Sequence, residues 1–398
     1  MAGSNKKNIL VGVSGGIAAY KICTLVSSLK KDGHDVHVLM TKEAEEFVGP
    51  LTFQTLSGHP VIRNMFSLQD GAEVHHIALA AKADAFVIAP ASANTIAKIA
   101  HGIADDMLTT TFLAATCPKL IVPAMNTHML ENPVTQDNIA LCRKYGMYVM
   151  ESASGYLACG DTGSGRMPEA HQIKDALESI LESERYLAGK KVVVSAGPTQ
   201  EAVDPVRYIT NHSSGKMGYA LARAARNAGA HVVLVSGKTA LEAPFGIDMI
   251  HITSAQDMAD AVLRESADAD AVIMAAAVAD YTPKETADHK LKKSDNDMYI
   301  ELKRTTDILK MLGERKQPHQ KLIGFAMETE DLLANAAGKL EKKNADFIVA
   351  NSIAEAGAGF GVDTNRVTIL SREEEKDLGL LSKDETAEKI LEYCLKEG

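Results

Sequence analysis

Several short strings combine residue types that can bind anions, move protons or donate hydroxyls. Gly12-Val13-Ser14-Gly15-Gly16-Ile17 follows an apolar run and leads into a helical pattern. Backbone N–H groups at a helix start, with little side-chain bulk over them, suit a phosphate. The spacing is not GxGxxG, so the dinucleotide fingerprint is absent, and an empty strand-to-helix turn would read the same way. A second string, Asp204 to Gly218, brings Arg207, Asn211, Ser213, Ser214, Gly215 and Lys216 to another helix start. Hydroxyls, N–H groups and cations make good phosphate chemistry there, although the Walker spacing is missing. Between these strings, His75 and His76 precede an apolar run. Ser92-Ala93-Asn94-Thr95 and Pro123-Ala124-Met125-Asn126 each follow a strand-like segment. The glycine-rich stretch Gly155 to Arg166 reads as a mobile loop or flap and carries Cys159. The basic run starting at Lys290 reads, by itself, as a solvated face.

The elements that must position these groups alternate. Residues 8–13, 35–40, 85–89, 119–123 and 148–150 read as strands. Helical patterns run from the glycines to about residue 31, where Gly33 ends the helix, and from 169 to 184. After a junction at 185–191 the pattern restarts: strand 191–195, glycine loop, helix 217–227, Gly229, strand 231–235. Strands alternating with helices predict doubly wound, mainly parallel sheets, so the fold class is α/β with two Rossmann-like domains, 1–187 and 188–398. In such a sheet the loops at the strands' carboxyl ends line the ligand crevice. Ser14, Ser92, Asn94 and Asn126 are therefore expected to converge.

Composition sets the bounds. The chain has 398 residues, 46% hydrophobic and 24% charged, which is ordinary globular usage and excludes disorder or coiled coil as the main state. A net charge of −10 argues against a nucleic-acid or anionic-membrane binder. With no Trp and 5% aromatics, base-stacking platforms are poorly supplied. The five cysteines, Cys23, Cys117, Cys142, Cys159 and Cys394, show no CxxC pair, so a disulfide framework and a zinc ribbon are both unsupported. The first apolar run is too short for a signal peptide or a membrane span, and a cytoplasmic protein is expected.

Taken together, the strings resemble the bifunctional coenzyme A biosynthesis enzymes, phosphopantothenoylcysteine decarboxylase fused to phosphopantothenate–cysteine ligase. The first half is similar to the flavin-containing cysteine decarboxylases through GVSGGIAAYK, HI at 76–77, PASANT, PAMN and LACGDTGSGRM. The second half is similar to the ligase through SAGPTQEAVDPVRYITNHSSGKMG, AAAVADY, KLKK, GFAMET and KLEKKNADFIVAN. The resemblance spans about residues 6 to 395 and implies a flavodoxin-like first half. It implies FMN held by Ser14, Gly15, Gly16, Ile17, Thr41, Ser92 and Asn94. His76 would be the active-site base, Asn126 the anchor for the substrate carboxylate and Cys159 the acid. For the second half it implies activation of 4'-phosphopantothenate by CTP to an acyl-cytidylate, which the amine of cysteine then attacks. Asn211 and Lys290 would be catalytic. The nucleotide and substrate positions would be Arg207, Ser213, Ser214, Gly215, Lys216, Met274, Ala275, Ala276, Asp280, Thr306, Asp307, Ile308, Leu309, Phe325, Lys339 and Lys343. Mg²⁺ would accompany CTP, with Asp280 as its candidate ligand. The family pattern often has Asn-Pro-Asp where this chain has Thr305-Thr306-Asp307, so different turn chemistry is expected there. The resemblance also implies a homo-oligomer, a dodecamer built from decarboxylase trimers and ligase dimers. No nucleic-acid or membrane partner is expected. A plain NAD(P) oxidoreductase is disfavoured by the missing fingerprint, and a non-enzymatic relative by the retained His76, Asn126 and Cys159.

Overall fold

The computed structural model describes residues 6–63, 75–156, 160, 162–182, 184–292, 298–328, 332–352 and 363–396. The chain divides into two compact units, Met1–Leu181 and Glu182–Gly398. In the first unit, strands β1 (Asn8–Val13), β2 (Asp35–Met40), β3 (Ala85–Ala91), β4 (Lys119–Pro123) and β5 (Tyr148–Val149) form a parallel sheet in the order β2-β1-β3-β4-β5. Every residue of β3 is buried, as a strand covered on both faces must be. The helices are α1 (Ala19–Lys31), α2 (Pro50–Ser57), α3 (His75–Lys82), α4 (Ala93–His101), α5 (Met107–Ala114), α6 (Thr127–Glu131), α7 (Pro133–Lys144) and α8 (Ala170–Leu181). Phe86 and Ile88 of β3 pack with Ile96, Leu108 and Phe112 of the helices. The strand order reverses between β1 and β3, which opens a crevice at their carboxyl ends. The glycines 15 and 16 form the turn before α1, and Gly33, with φ +90°, closes it as the sequence predicts.

The stretch expected as a loop at 155–166 is instead the antiparallel pair β6 (Ala153–Tyr156) and β7 (Thr162–Arg166). Glycines normally argue against a strand, and here they serve a close approach. A Cβ on Gly165 would lie 2.2 Å from the Met125 carbonyl oxygen, and one on Gly163 would lie 2.6 Å from Thr127 Oγ1. Met125 N–H donates to Gly165 O and Thr127 Oγ1 to Ser164 O, so the hairpin is fastened to the loop that carries Asn126. Cys159, between these two segments in sequence, lies outside the described residues.

The second unit runs β8 (Lys191–Ala196), β9 (Gln200–Ala202), β10 (Tyr208–Thr210), α9 (Lys216–Asn227), β11 (His231–Ser236), β12 (Asp248–His251), α10 (Ala255–Glu265) and β13 (Ala271–Met274). It continues with β14 (Tyr281–Pro283), β15 (Leu302–Arg304), α11 (Ile308–Arg315), β16 (Lys321–Glu328), α12 (Leu332–Lys342), β17 (Phe347–Ser352), β18 (Thr364–Leu370), β19 (Glu375–Ser382) and α13 (Lys383–Leu395). The eight-stranded sheet has the order β12-β11-β8-β13-β16-β17-β18-β19, parallel as far as β17 and antiparallel beyond it. Its order reverses between β8 and β13. Two hairpins, β9–β10 and β14–β15, lie outside the sheet. A Cβ on Gly218 would come within 2.5 Å of the Ala196 Cβ, so α9 sits directly on β8. Leu187, in the expected junction, is buried in this unit's core, and its N–H donates to Ala228 O at 2.8 Å.

Candidate functional sites

In the first unit the loops after β1, β2 and β3 are tied to one another. The buried Ser14 hydroxyl donates to Pro90 O at 2.7 Å and accepts the Ser92 N–H at 2.9 Å, bridging the crevice at the reversal point. Thr41 N–H donates to Val13 O, and a Cβ on Gly15 would stand 2.5 Å from the Glu43 Cβ, so the glycine lets the first two loops meet. Ser92 caps α4 by accepting the Thr95 N–H, and Asn94 is exposed on the first turn. At α1 the N-cap residue, Ala18, supplies no side-chain hydrogen bond, and Gly16 and Ile17 lie beside it, with Ile17 exposed. Two helix starts thus flank one crevice, each presenting N–H groups and the positive end of its dipole.

Asn126 follows β4 and belongs to the same edge, because Ala124 N–H donates to Ala91 O. Its Oδ1 accepts the His128 N–H at 2.9 Å and caps α6. Below the hairpin, Glu169 takes both Lys21, at 2.8 Å, and Arg166, at 2.6 Å. The Lys21 ammonium first, and Arg166 after it, hold the Glu169 carboxyl below its usual range. His76 is the second residue of α3, which packs along α5. Among the described residues no hydrogen bond or ion pair joins it to Ser92 or Asn126.

The second unit repeats the bridge with different residues. The buried Ser195 hydroxyl accepts the Ala276 N–H at 3.1 Å across the β8/β13 reversal. Ala277 N–H donates to Gly197 O, and Ala279 N–H to Thr199 Oγ1 at 3.0 Å. Asn211 Nδ2 reaches the carbonyls of Ala277 and Val278 at 3.3 and 3.2 Å. The threonine that replaces Asn in the 305–307 turn donates its Oγ1 to Ala279 O at 2.6 Å, and Asp280 O accepts the Thr305 N–H. The predicted segments 195–199, 211, 275–280 and 305–307 therefore meet. Asp280 itself is exposed at the start of this turn.

Most of the predicted cations have partners. Lys216 Nζ lies 2.6 Å from Asp363 Oδ1. Lys343 pairs with Asp307, which also caps α11. Arg207 forks onto the buried Asp204, with its Nε 3.0 Å from Asp204 Oδ2. That guanidinium, helped by backbone N–H groups, holds the Asp204 carboxyl far below the ordinary carboxylate range. Lys290 is exposed and, among the described residues, makes no ion pair. Ser213 Oγ accepts the Gly215 N–H at the start of α9. Ser214 is half-buried beside Gly215, which has φ +76° and touches Thr239. A cavity of about 260 Å³ opens beside this helix start, lined by Tyr219, Ser236, Lys238, Thr239 and His251. Met274 and Ile308 are core residues, with Leu309 packed against that core. Ala275, Ala276, Thr306, Phe325 and Lys339 are half-buried. The residues that sequence reading missed, Ser195, Thr199, Asp204 and Thr305, bind backbone groups, and no spacing rule marks such partners.

Among the described residues, the grouping with metal-ligand geometry is Asp35, His37 and His59. It sits at the start of β2, the opposite end from the crevice, and Lys30 Nζ already stands 3.8 Å from Asp35. Asp280 does not belong to such a group. No described helix is long and apolar enough to cross a membrane.

Two α/β units with anion-suited loops at the reversal points of their sheets define a two-domain protein of doubly wound architecture. Residues 2–182 match the Flavoprotein family, and residues 187–397 match the DNA/pantothenate metabolism flavoprotein C-terminal domain. The chain is 50% identical over 392 residues to the coenzyme A biosynthesis bifunctional protein CoaBC of Bacillus subtilis, covering 98% of this chain and 96% of that one. It is 46% identical over 388 residues to the protein of the same name from Vibrio parahaemolyticus, covering 97% of each. The crystal structure of a C-terminal domain of CoaBC aligns with 47% identity over 52% of this chain and 95% of that one, with a TM-score of 0.46. The chain belongs to the family of coenzyme A biosynthesis bifunctional proteins, in which a flavoprotein decarboxylase domain precedes a ligase domain.

Proposed function

We propose that the second unit joins 4'-phosphopantothenate to cysteine at the expense of CTP, releasing pyrophosphate and CMP. The first unit then decarboxylates 4'-phosphopantothenoylcysteine to 4'-phosphopantetheine with FMN. The observation that carries the first assignment is the Ser14 bridge at the β1/β3 reversal. A sheet of order 2-1-3-4-5 offers its flavin crevice at that point. The residues there fit a flavin phosphate: the start of α1 without a side-chain cap, the glycine turn 15–16, Ile17, Thr41, and Ser92 with Asn94 at α4. FMN, when bound, supplies a two-electron acceptor that returns its electrons, so the reaction is redox-neutral overall. His76 takes the proton that leaves the substrate. Asn126 orients the substrate carboxylate through Nδ2, the donor of its amide, while its Oδ1 accepts the His128 N–H. Cys159 returns a proton to the product as a neutral thiol.

In the second unit, activation concentrates negative charge, which favours a cation without a competing carboxylate. Lys290, which makes no ion pair among the described residues, meets that requirement and takes the catalytic role. Asn211 orients the acyl-cytidylate, held in place by its bonds to residues 277 and 278. Ser213 to Lys216 receive phosphate oxygens at the start of α9. Arg207, Met274 to Ala276, Asp280, Thr306 to Leu309, Phe325, Lys339 and Lys343 line the nucleotide. Mg²⁺ arrives with CTP, held chiefly by its phosphates with Asp280 beside them, since among the described residues no carboxylate cluster surrounds that residue. The oligomer would be a dodecamer of decarboxylase trimers and ligase dimers in the cytoplasm. Exposed Val206, Tyr208, Tyr281 and Leu302 on the two hairpins supply apolar surface for the dimer contact.

The test is to incubate the full chain with 4'-phosphopantothenate, CTP, Mg²⁺ and cysteine, and to follow pyrophosphate, CMP and CO₂. All three should appear, from a yellow protein. A colourless protein that turns over NAD(P)H, or release of CMP without cysteine consumption, would sink the assignment.

A further inference from the structure

We infer that Asp204 is a positioning residue for Lys290, acting through a clasp with Arg207. The inference rests on the assignment of Lys290 to the ligase step and extends it to a residue with no assigned role. Asp204 sits in the turn of the β9–β10 hairpin with its side chain fully buried. Its Oδ1 accepts the N–H groups of Val206 and Arg207 at 2.8 and 2.9 Å. Its Oδ2 accepts Arg207 Nε at 3.0 Å and the N–H of Leu291 at 3.1 Å. Arg207 Nη2 in turn donates to the Leu291 carbonyl at 3.1 Å. The pair therefore grips both polar groups of one residue, across 87 positions of sequence, immediately after Lys290.

A second anchor lies on the other side. Ala287 N–H donates to Val203 O at 3.1 Å, and Thr286 Oγ1 to Ala202 O at 3.2 Å. Lys290 thus rides on a short span fixed at both ends to one hairpin turn. That hairpin's far end runs into Asn211, which holds the carbonyls of residues 277 and 278. The three-residue strands between the two ends span about 10 Å, so a single rigid piece mounts both proposed catalytic side chains. An exposed lysine on an unanchored loop would sample many positions. The clasp restricts where its backbone begins, and the buried charge makes the restriction hard to release, because a lone carboxylate there would have no compensating partner.

The experiment compares Asp204→Asn with Lys290→Gln in the full chain. Asparagine keeps one carbonyl oxygen for the turn but loses the charge that holds Arg207. Asp204→Asn should slow pyrophosphate release about 10- to 100-fold at saturating CTP, with the KM for 4'-phosphopantothenate within about 3-fold, because misplacing a reacting group costs rate more than ground-state binding. The Leu291 amide should exchange hydrogen much faster than in the parent. Decarboxylation of supplied 4'-phosphopantothenoylcysteine should persist, and the second unit's own denaturant transition should remain cooperative, which shows that the unit carrying Asp204 is folded. An unchanged kcat alongside fast Leu291 exchange, or a loss confined to KM, would overturn the positioning role. Undiminished pyrophosphate release by Lys290→Gln would instead overturn the assignment of Lys290 itself. Should Asp204→Asn not fold, Arg207→Lys and the parent chain keep the inference open to refutation. Arg207→Lys should reproduce the kcat loss, and a Leu291 amide exchanging at the free-peptide rate in the parent would rule out the clasp.

Discussion

The crevice of the first unit and that of the second are closed by the same device. A buried serine near the carboxyl end of the first strand, Ser14 or Ser195, accepts an N–H from the segment beyond the next strand across the reversal. The two differ in what is built on that bridge. In the first unit the surrounding polar groups are hydroxyls and backbone N–H groups at two helix starts, and its nearby cation, Lys21, is neutralised by Glu169. In the second unit the carboxyl edge carries several lysines and arginines. Arg207, Lys216 and Lys343 are each paired with a carboxylate, and Lys290, on a clasped segment, makes no ion pair among the described residues. Under the proposed assignments, the difference teaches that a phosphate which only needs holding can be met by backbone dipoles. Charge that grows during a reaction calls for a cation that is not already balanced.

The strongest way to break this contrast is to remove the two proposed reactive side chains separately. Lys290→Gln should lower ligation about 100- to 1000-fold, a typical cost for deleting one charge-stabilising group, and leave decarboxylation intact. Cys159→Ser should abolish release of the decarboxylated product and leave flavin absorbance and ligation unchanged. Crossed losses in either assay would refute the division of labour. Next in size is Gly165→Ala. With φ +114° and a Cβ that would lie 2.2 Å from Met125 O, it should destabilise the first unit by about 2–4 kcal/mol in a denaturant titration and leave the second unit's transition in place.

The bridges themselves give a matched pair. Ser14→Ala and Ser195→Ala each leave a buried N–H without its acceptor, at a cost of about 1–3 kcal/mol to the unit concerned. Unit-specific losses are expected, the larger for Ser14→Ala because Ser14 makes two hydrogen bonds to Ser195's one; a Ser195→Ala protein as stable as the parent would show that the second bridge carries no weight. Acid offers a finer comparison. Arg207 lowers the folded pKa of Asp204, so its contribution is complete above the unfolded carboxylate pKa of about 4 and disappears only as pH falls through the lowered folded value. Protection of the Leu291 amide, corrected for intrinsic exchange, should therefore hold down to about pH 4. The smallest effect concerns thiols. Burial pushes Cys142 up to about 11 and raises Cys23, Cys117 and Cys394 as well, so iodoacetamide at neutral pH should label Cys159 first. Faster labelling of Cys142 or Cys394 would contradict that order.

Strand β1, the glycine turn and the helix after it were legible because apolar runs and Gly punctuation are local signals, and the same holds for β8, α9 and β11. Strands β18 and β19, at the antiparallel end of the sheet, leave no local mark in the sequence, since β18 is placed by β17 and β19 by β18 rather than by their own pattern. The hairpin β6–β7 was taken for a loop because glycine is a poor strand former, and nothing local shows that residues 163 and 165 must clear the loop at 125–127. In the second site, Asn211 and the segments 275–280 and 305–307 meet as the motifs imply. Arg207 and Lys216 were read as cations waiting for a ligand, and the structure gives both a carboxylate; pairing over 147 residues, as for Lys216 and Asp363, leaves no trace in local sequence.

Leu187 also decides how the protein can be taken apart. Residues 186 and 187 look like a tether in sequence, yet Leu187 is 4% exposed and Tyr186 packs against the same core. A fragment beginning at residue 188 would therefore start with a hole where a leucine belongs, a defect that typically costs about 2–5 kcal/mol. A scissile point or fusion joint placed just after Leu181 spares that core and lets each half be produced and assayed as an independent piece.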